Sequence, residues 1–169
     1  GSANGYFLIS ESWNDTRGAI TWINASTGKL ADGSTGGAIS PANSLIGENA
    51  NDRVGYMRGV GYPYYTYRPV VQQIGRGFLF FSPFFGSGGD GVHDGKGAVT
   101  WIDPATGLLA NGLTGGVVSP ANSIVGANHG DQIGALPSGE AFLQTWGNTA
   151  LVLSTAFGAN KGSATWIDG

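Results

Sequence analysis

Hydrophobic positions fall in short runs along this chain, each closed by a turn rich in Gly, Asn, Asp or Ser. The first, YFLIS (6–10), is followed by the polar SWNDTR and then by GAITWI (18–23). Two apolar runs joined in this way predict an antiparallel hairpin. The same order returns as FLFFSPFF (78–85) before GAVTWI (97–102), and as ALVLSTAF (150–157) before GSATWI (162–167). Behind GAITWI the segment NASTGKLADGSTGG (24–37) is turn-rich, a long loop or a small hairpin around Lys29 to Ala31. AIS-P-ANSLIG (38–47) supplies another short strand. No stretch keeps apolar residues three and four apart over a helical length, so no helix is predicted.

The pattern recurs because the sequence does. Gly97 to Gly134 is a second copy of Gly18 to Gly55, with more than half of the aligned positions identical. Most of the exchanges keep size and burial, as in Ile20 against Val99, Leu45 against Ile124 and Val54 against Ile133. A third copy opens at Gly162. The GA-x-TW elements are 79 and then 65 residues apart, and the extra length lies around Tyr62 to Gln73. Each unit reads as four short strands: one after D-x-V/I-G, one at the FLFF position, one at GA-x-TW and one at AIS/NSLIG. A single repeat-built β domain over 1–169 is expected, with units of about 1–55, 56–134 and 135–169, as a fragment of a larger protein. Fixed repeats of this kind point to propellers, solenoids or arrays.

Composition narrows the function classes. Gly is present 31 times and charged residues make up 11%, which suits short strands and tight turns. The net charge of -3 offers no basic stripe for nucleic acid. No apolar run approaches the roughly 20 residues that span a bilayer, so membrane insertion is not expected. There is no Cys, which removes disulfides, thiolate zinc sites and a Cys nucleophile. Gly1-Ser2 reads as a cloning remnant, so an export signal would lie outside this sequence.

Candidate chemistry is sparse. His93 and His129 stand in unequal loops with no nucleophile at a triad-like spacing. The acids are scattered at turns, and no pair is placed by sequence for glycoside hydrolysis. Within GSGGDGVHDGKG (86–97), Asp90 and Asp94 lie four apart among free carbonyls, a loop that would suit calcium or serve as a solvated turn. GYPYYTYRP (61–69) gathers Tyr62, Tyr64, Tyr65, Tyr67 and Arg68, stiffened by Pro63 and Pro69. Such rings suit a sugar or a protein hot spot, and equally the closure of a loop over its own sheet. Trp22, Trp101 and Trp166 recur at one position and are expected to fill gaps between adjacent units. Asn43-Ser44, Asn122-Ser123, Asp52 and Asp131 are expected to satisfy turn backbone.

With the unit laid out, D-R-V-G (52–55) and D-Q-I-G (131–134), the strand ending SPFF (82–85) and the following GKGAVTWI resemble the FG-GAP repeat of integrin α-subunit β-propellers. Val54 and Ile133 stand where that family has Phe. The GAVTW, VSPANS and N-x-x-D-x-V/I-G segments resemble repeats of large bacterial surface proteins of the filamentous-haemagglutinin type. The resemblance implies an all-β fold of propeller-type blades, each of four short antiparallel strands, with about two and a half units here. A compact β-sandwich or prism built from the repeats is the alternative. It also implies a non-enzymatic domain of a secreted or cell-surface bacterial protein, acting in adhesion or display. Its partners would be a glycan or a host matrix protein, together with neighbouring repeats or a second copy. The alternatives are a lectin-like module using the Tyr-rich loop and a hydrolase on a propeller scaffold.

Overall fold

A computed structural model of the chain describes residues 5–56, 59–60, 66–67, 71–87, 95–134 and 142–168. The fold is all-β, with several small sheets and, among the described residues, none closed into a barrel. In the first unit β1 (Gly5–Ser10) pairs antiparallel with β2 (Ala19–Asn24), and β2 with β3 (Ser44–Ile46). The insertion contributes a two-stranded hairpin, β4 (Gly59–Val60) with β5 (Thr66–Tyr67). The second unit runs β6 (Val71–Ile74), β7 (Gly77–Ser82), β8 (Ala98–Ile102), β9 (Gly116–Val117) and β10 (Ser123–Val125). Its sheet order is β10-β8-β7-β6. The third comprises β11 (Phe142–Trp146), β12 (Thr149–Ser154) and β13 (Ser163–Asp168), in the order β11-β12-β13.

Among the described residues one strand pairing crosses between units. β9 belongs to the second unit by sequence, yet it lies parallel to β3 of the first, with Leu45 opposite Gly116 and Ile46 opposite Val117. The antiparallel hairpins follow from the sequence pattern; this parallel addition does not.

The sheets stack face to face, and alternation along the strands shows how. On β7 and β8, Phe80, Ala98 and Ile102 pack toward the first unit, with Ile20, Leu45 and Val54. Leu79, Phe81 and Val99 point the other way, onto Ala150 and Val152 of the third. Both faces of the middle sheet are therefore buried, which is why its strands read as continuous apolar runs rather than alternating ones. Corresponding residues do the same work at both interfaces: Ile20, Leu45 and Val54 at the first, Val99, Ile124 and Ile133 at the second.

The connections contain two segments with helix-type hydrogen bonds, Trp13–Thr16 and Phe157–Asn160. Asn14 (φ 48°), Asp15 (φ 57°), Gly158 (φ 62°) and Ala159 (φ 59°) make them tight left-handed turns rather than helices.

Candidate functional site at the junctions between units

The polar residues that the sequence repeats converge where one unit meets the next. Asp52 is fully buried. Its Oδ2 accepts the Asn49 N–H at 2.7 Å, and its Oδ1 accepts the N–H of Gly86, in the next unit's turn, at 3.1 Å. Asp131 repeats this one unit later, with Asn128 N–H at 2.8 Å and Gly158 N–H at 3.0 Å. Each carboxylate thus caps its own turn and ties down the following unit. Burial pushes the Asp131 pKa up, but N–H groups of Asn128, Gly158 and Ala127 outweigh it, and the carboxyl sits below the ordinary 3.8.

A second tie runs in the opposite direction. Ser82 Oγ accepts the Gly55 N–H at 3.2 Å, and Ser154 Oγ accepts the Gly134 N–H at 2.9 Å. Gly18 and Gly97 complete the joint. Both have left-handed φ, and a Cβ on either would lie 2.3 Å from backbone of Val54 or Ile133. Only glycine meets both demands.

The Asn-Ser turns close locally. Asn43 Oδ1 accepts the Ser40 N–H at 3.0 Å and its Nδ2 donates to Ala38 O at 3.1 Å; Asn122 does the same with Ser119 and Val117. Ser44 and Ser123 then meet the Thr of the neighbouring strand, Thr21 and Thr100, each at 2.7 Å.

The recurring tryptophans part company. Trp22 lies flat over Gly5, and its Nε1–H donates to the buried carbonyl of Pro104 in the second unit at 3.0 Å. Trp101 lies over Gly77 in the same pose, but among the described residues its buried Nε1 has no hydrogen-bond partner. In the third unit the strand position of Gly5 and Gly77 is Thr149. Trp166 there does not lie down: it is 60% exposed and stacks on Trp146, with centroids 6.0 Å apart and planes at 16°. A Cβ at Gly5 would lie 2.0 Å from Trp22 Nε1 and one at Gly77 1.9 Å from Trp101 Nε1, so the side chain of Thr149 is incompatible with that pose.

A polar recess of about 330 Å³ opens at the second junction, lined by Asn128, His129, Asp131, Gly158 and Asn160. Asp131 is already engaged by backbone donors there. Among the described residues no three His, Asp or Glu side chains come together as a metal site.

The residues proposed from sequence as binding sites fall almost wholly outside the described residues. Tyr62, Tyr64, Tyr65 and Arg68 lie outside the described residues, as do Asp90 and Asp94 of the calcium candidate. Of the tyrosine group only the backbone of Tyr67 is placed, opposite Gly59. The structure brings together instead Asp52 with Gly86 and Ser82 with Gly55, contacts that sequence reasoning missed. Their signal was present as the recurrence of S-x-x-F-G, Ser82 to Gly86 and Ser154 to Gly158, after each D-x-V/I-G.

Comparison with curated proteins and with solved structures gives no match. A family described as a repeat of unknown function (DUF5650) matches residues 2–56 and 87–135, the two stretches that carry the Asp-to-Gly and Asn-Ser turns. With matches over more than half of its length, the chain belongs to this repeat family.

Proposed function

We propose that this chain is a non-enzymatic repeat domain of a secreted or cell-surface bacterial protein, stacked as propeller-type blades and used for adhesion or display. The observation that carries this reading is the repetition of the junction. Its buried carboxylates, hydroxyls and glycines are spent on joining units, which is the chemistry of a scaffold. Both ends of the stack also keep the face used inside it. Tyr6 and Leu8, 65% and 50% exposed, stand at the strand positions of the middle unit's Phe78 and Phe80. Trp166 stands at the position of Trp22 and Trp101 on the opposite end. Apolar faces of this sort are what a further blade covers.

The test is a screen of the immobilised chain against glycans and matrix proteins, with calcium and with a chelator. A variant with Tyr62, Tyr64, Tyr65 and Tyr67 replaced by Ala is run beside it. Adhesion predicts saturable binding of a surface ligand by the parent chain. Loss of a defined glycan in a folded variant would instead make this a lectin-like module. Silence with every ligand would reject adhesion and leave display alone.

A further inference from the structure

The first and second units show how one repeat receives the loop of the next. The Asp103–Val118 loop of the second unit crosses over the first unit's Trp22 and adds β9 to β3. Val118 N–H donates to Ile46 O at 3.0 Å, and Thr114 Oγ donates to Ala42 O at 2.7 Å. Pro104 accepts the Trp22 indole N–H. Leu109 and Val118 enter the core. Two glycines permit the approach: a Cβ on Gly107 would lie 2.6 Å from the Trp22 ring, and one on Gly115 would lie 2.6 Å from Ser44 N.

The second unit has the same receiving surface, and among the described residues nothing occupies it. β10 is the counterpart of β3 and forms the outer edge of its sheet. Trp101 is the counterpart of Trp22, with its buried indole nitrogen unpartnered. A cavity of about 260 Å³ lies between them, lined by Leu79, Trp101, Pro120, Ile124 and Ile167. The surrounding packing is otherwise complete, since Phe157 and Ile167 of the third unit take the places that Phe85 and Ile102 take at the first junction. What is absent is the pair corresponding to Leu109 and Val118. The loop itself needs no partner to take its shape. The first unit's Asn24–Ser40 loop repeats the turns of its counterpart: Gly28 N–H donates to Asn24 O and Gly33 N–H to Leu30 O, as Gly107 does to Asp103 O and Gly112 to Leu109 O. Yet a Cβ on Gly28, Gly36 or Gly37 would meet nothing within 4 Å. Free and docked loops share these turns, so little ordering is needed for docking.

We propose that β10 and the cavity beside Trp101 form a docking site for one further loop of this repeat, of the Asp103–Ser119 kind. That loop adds a parallel strand to β10, lays its T-G glycine on the Trp101 ring and accepts the indole N–H on a backbone carbonyl. This is strand addition with a side-chain anchor, and it stands whether or not the stack serves adhesion.

The test lengthens the chain by placing a second copy of residues 104–126 directly after Asp168. The Trp101 indole resonance is followed by NMR, assigned with Trp101→Phe, together with amide exchange in β10. The expected result is a shifted Trp101 indole signal and exchange of the Ser123–Val125 amides slowed about tenfold or more. A lengthened chain with Val in place of the glycine corresponding to Gly107 should show neither effect. In case the lengthened chain does not fold, the parent chain is titrated with a synthetic peptide of residues 103–119, with the same two readouts. The proposal is overturned by an unmoved Trp101 signal and unprotected β10 in a folded lengthened chain. Equal protection by the glycine-to-valine form overturns it too, as does a peptide that changes neither readout when the lengthened chain is unfolded.

Discussion

Trp22 and Trp101 form a built-in controlled comparison. Both rings lie over a glycine of the neighbouring strand, but among the described residues only Trp22 has a partner for its N–H, the Pro104 carbonyl. Replacing Trp22 with Phe removes that bond and leaves a buried carbonyl unsatisfied, about 1–3 kcal/mol. The smaller ring also leaves a void under Gly107, about 1–2 kcal/mol. Replacing Trp101 removes a buried donor that has no partner, which offsets the lost contact area, and its other side already faces a cavity. Its cost should be about 0–1 kcal/mol. The two variants should therefore differ by about 3 kcal/mol, or about 6–12 °C in Tm for a chain of this size. Urea unfolding measures this through the midpoint, provided that the slope is unchanged. Equal destabilisation, within about 0.5 kcal/mol, would refute the claim that the Pro104 contact distinguishes the two sites.

Other consequences can be checked by the same unfolding measurements. Asp52→Ala leaves the Asn49 and Gly86 amides without their buried acceptor and should cost about 3–5 kcal/mol, with Asp52→Asn less harmful because its amide oxygen still accepts. The folded-state pKa of Asp131 is depressed, so its stabilising contribution is full above the unfolded value and disappears as pH falls through the folded one. Melting followed from pH 5 downward should show an acid loss beginning near pH 4 that is flatter in Asp131→Asn. Gly97→Ala, whose Cβ would meet Ile133 backbone, should cost about 3 kcal/mol or more, whereas Gly33→Ala, also at positive φ but with no neighbour within 4 Å, should cost only the backbone strain of about 1–2 kcal/mol.

Much of the fold is legible in the residues. The hairpins, the short strand after P-A-N-S and the small bridge in the loop after TWI all follow from runs of apolar residues between turn formers. Around Lys29 to Ala31, read as a long loop or a small hairpin, there is a single Ile23–Leu30 bridge, and Ile102–Leu109 repeats it in the second unit. The parallel docking of β9 is not legible: Val117 stands at the second unit's AIS position, where a strand is expected, but nothing in that short run names its partner. Its partner lies 71 residues earlier at Leu45, and only the packing of two units creates the edge that it joins. The junction was half visible. Asp52 and Asp131 read as turn caps, which they are, but periodicity cannot show that the second carboxylate oxygen reaches another unit. The Thr149 exchange is plain in the sequence, yet its meaning depends on knowing that a tryptophan lies across that position.

Because β9 is encoded in one repeat and hydrogen-bonded into another, the repeating piece of structure is out of step with the repeating piece of sequence. A cut at the sequence boundary separates β3 from the strand that completes its sheet, and Asp52 from the Gly86 amide that it holds. Fragment boundaries for expression are therefore better drawn beyond β10 of the following unit than at the end of the first D-x-V-G. For the same reason, a whole repeat inserted between two others brings both halves of the joint with it. Array length can change by duplication or loss of single units without leaving a mismatched seam.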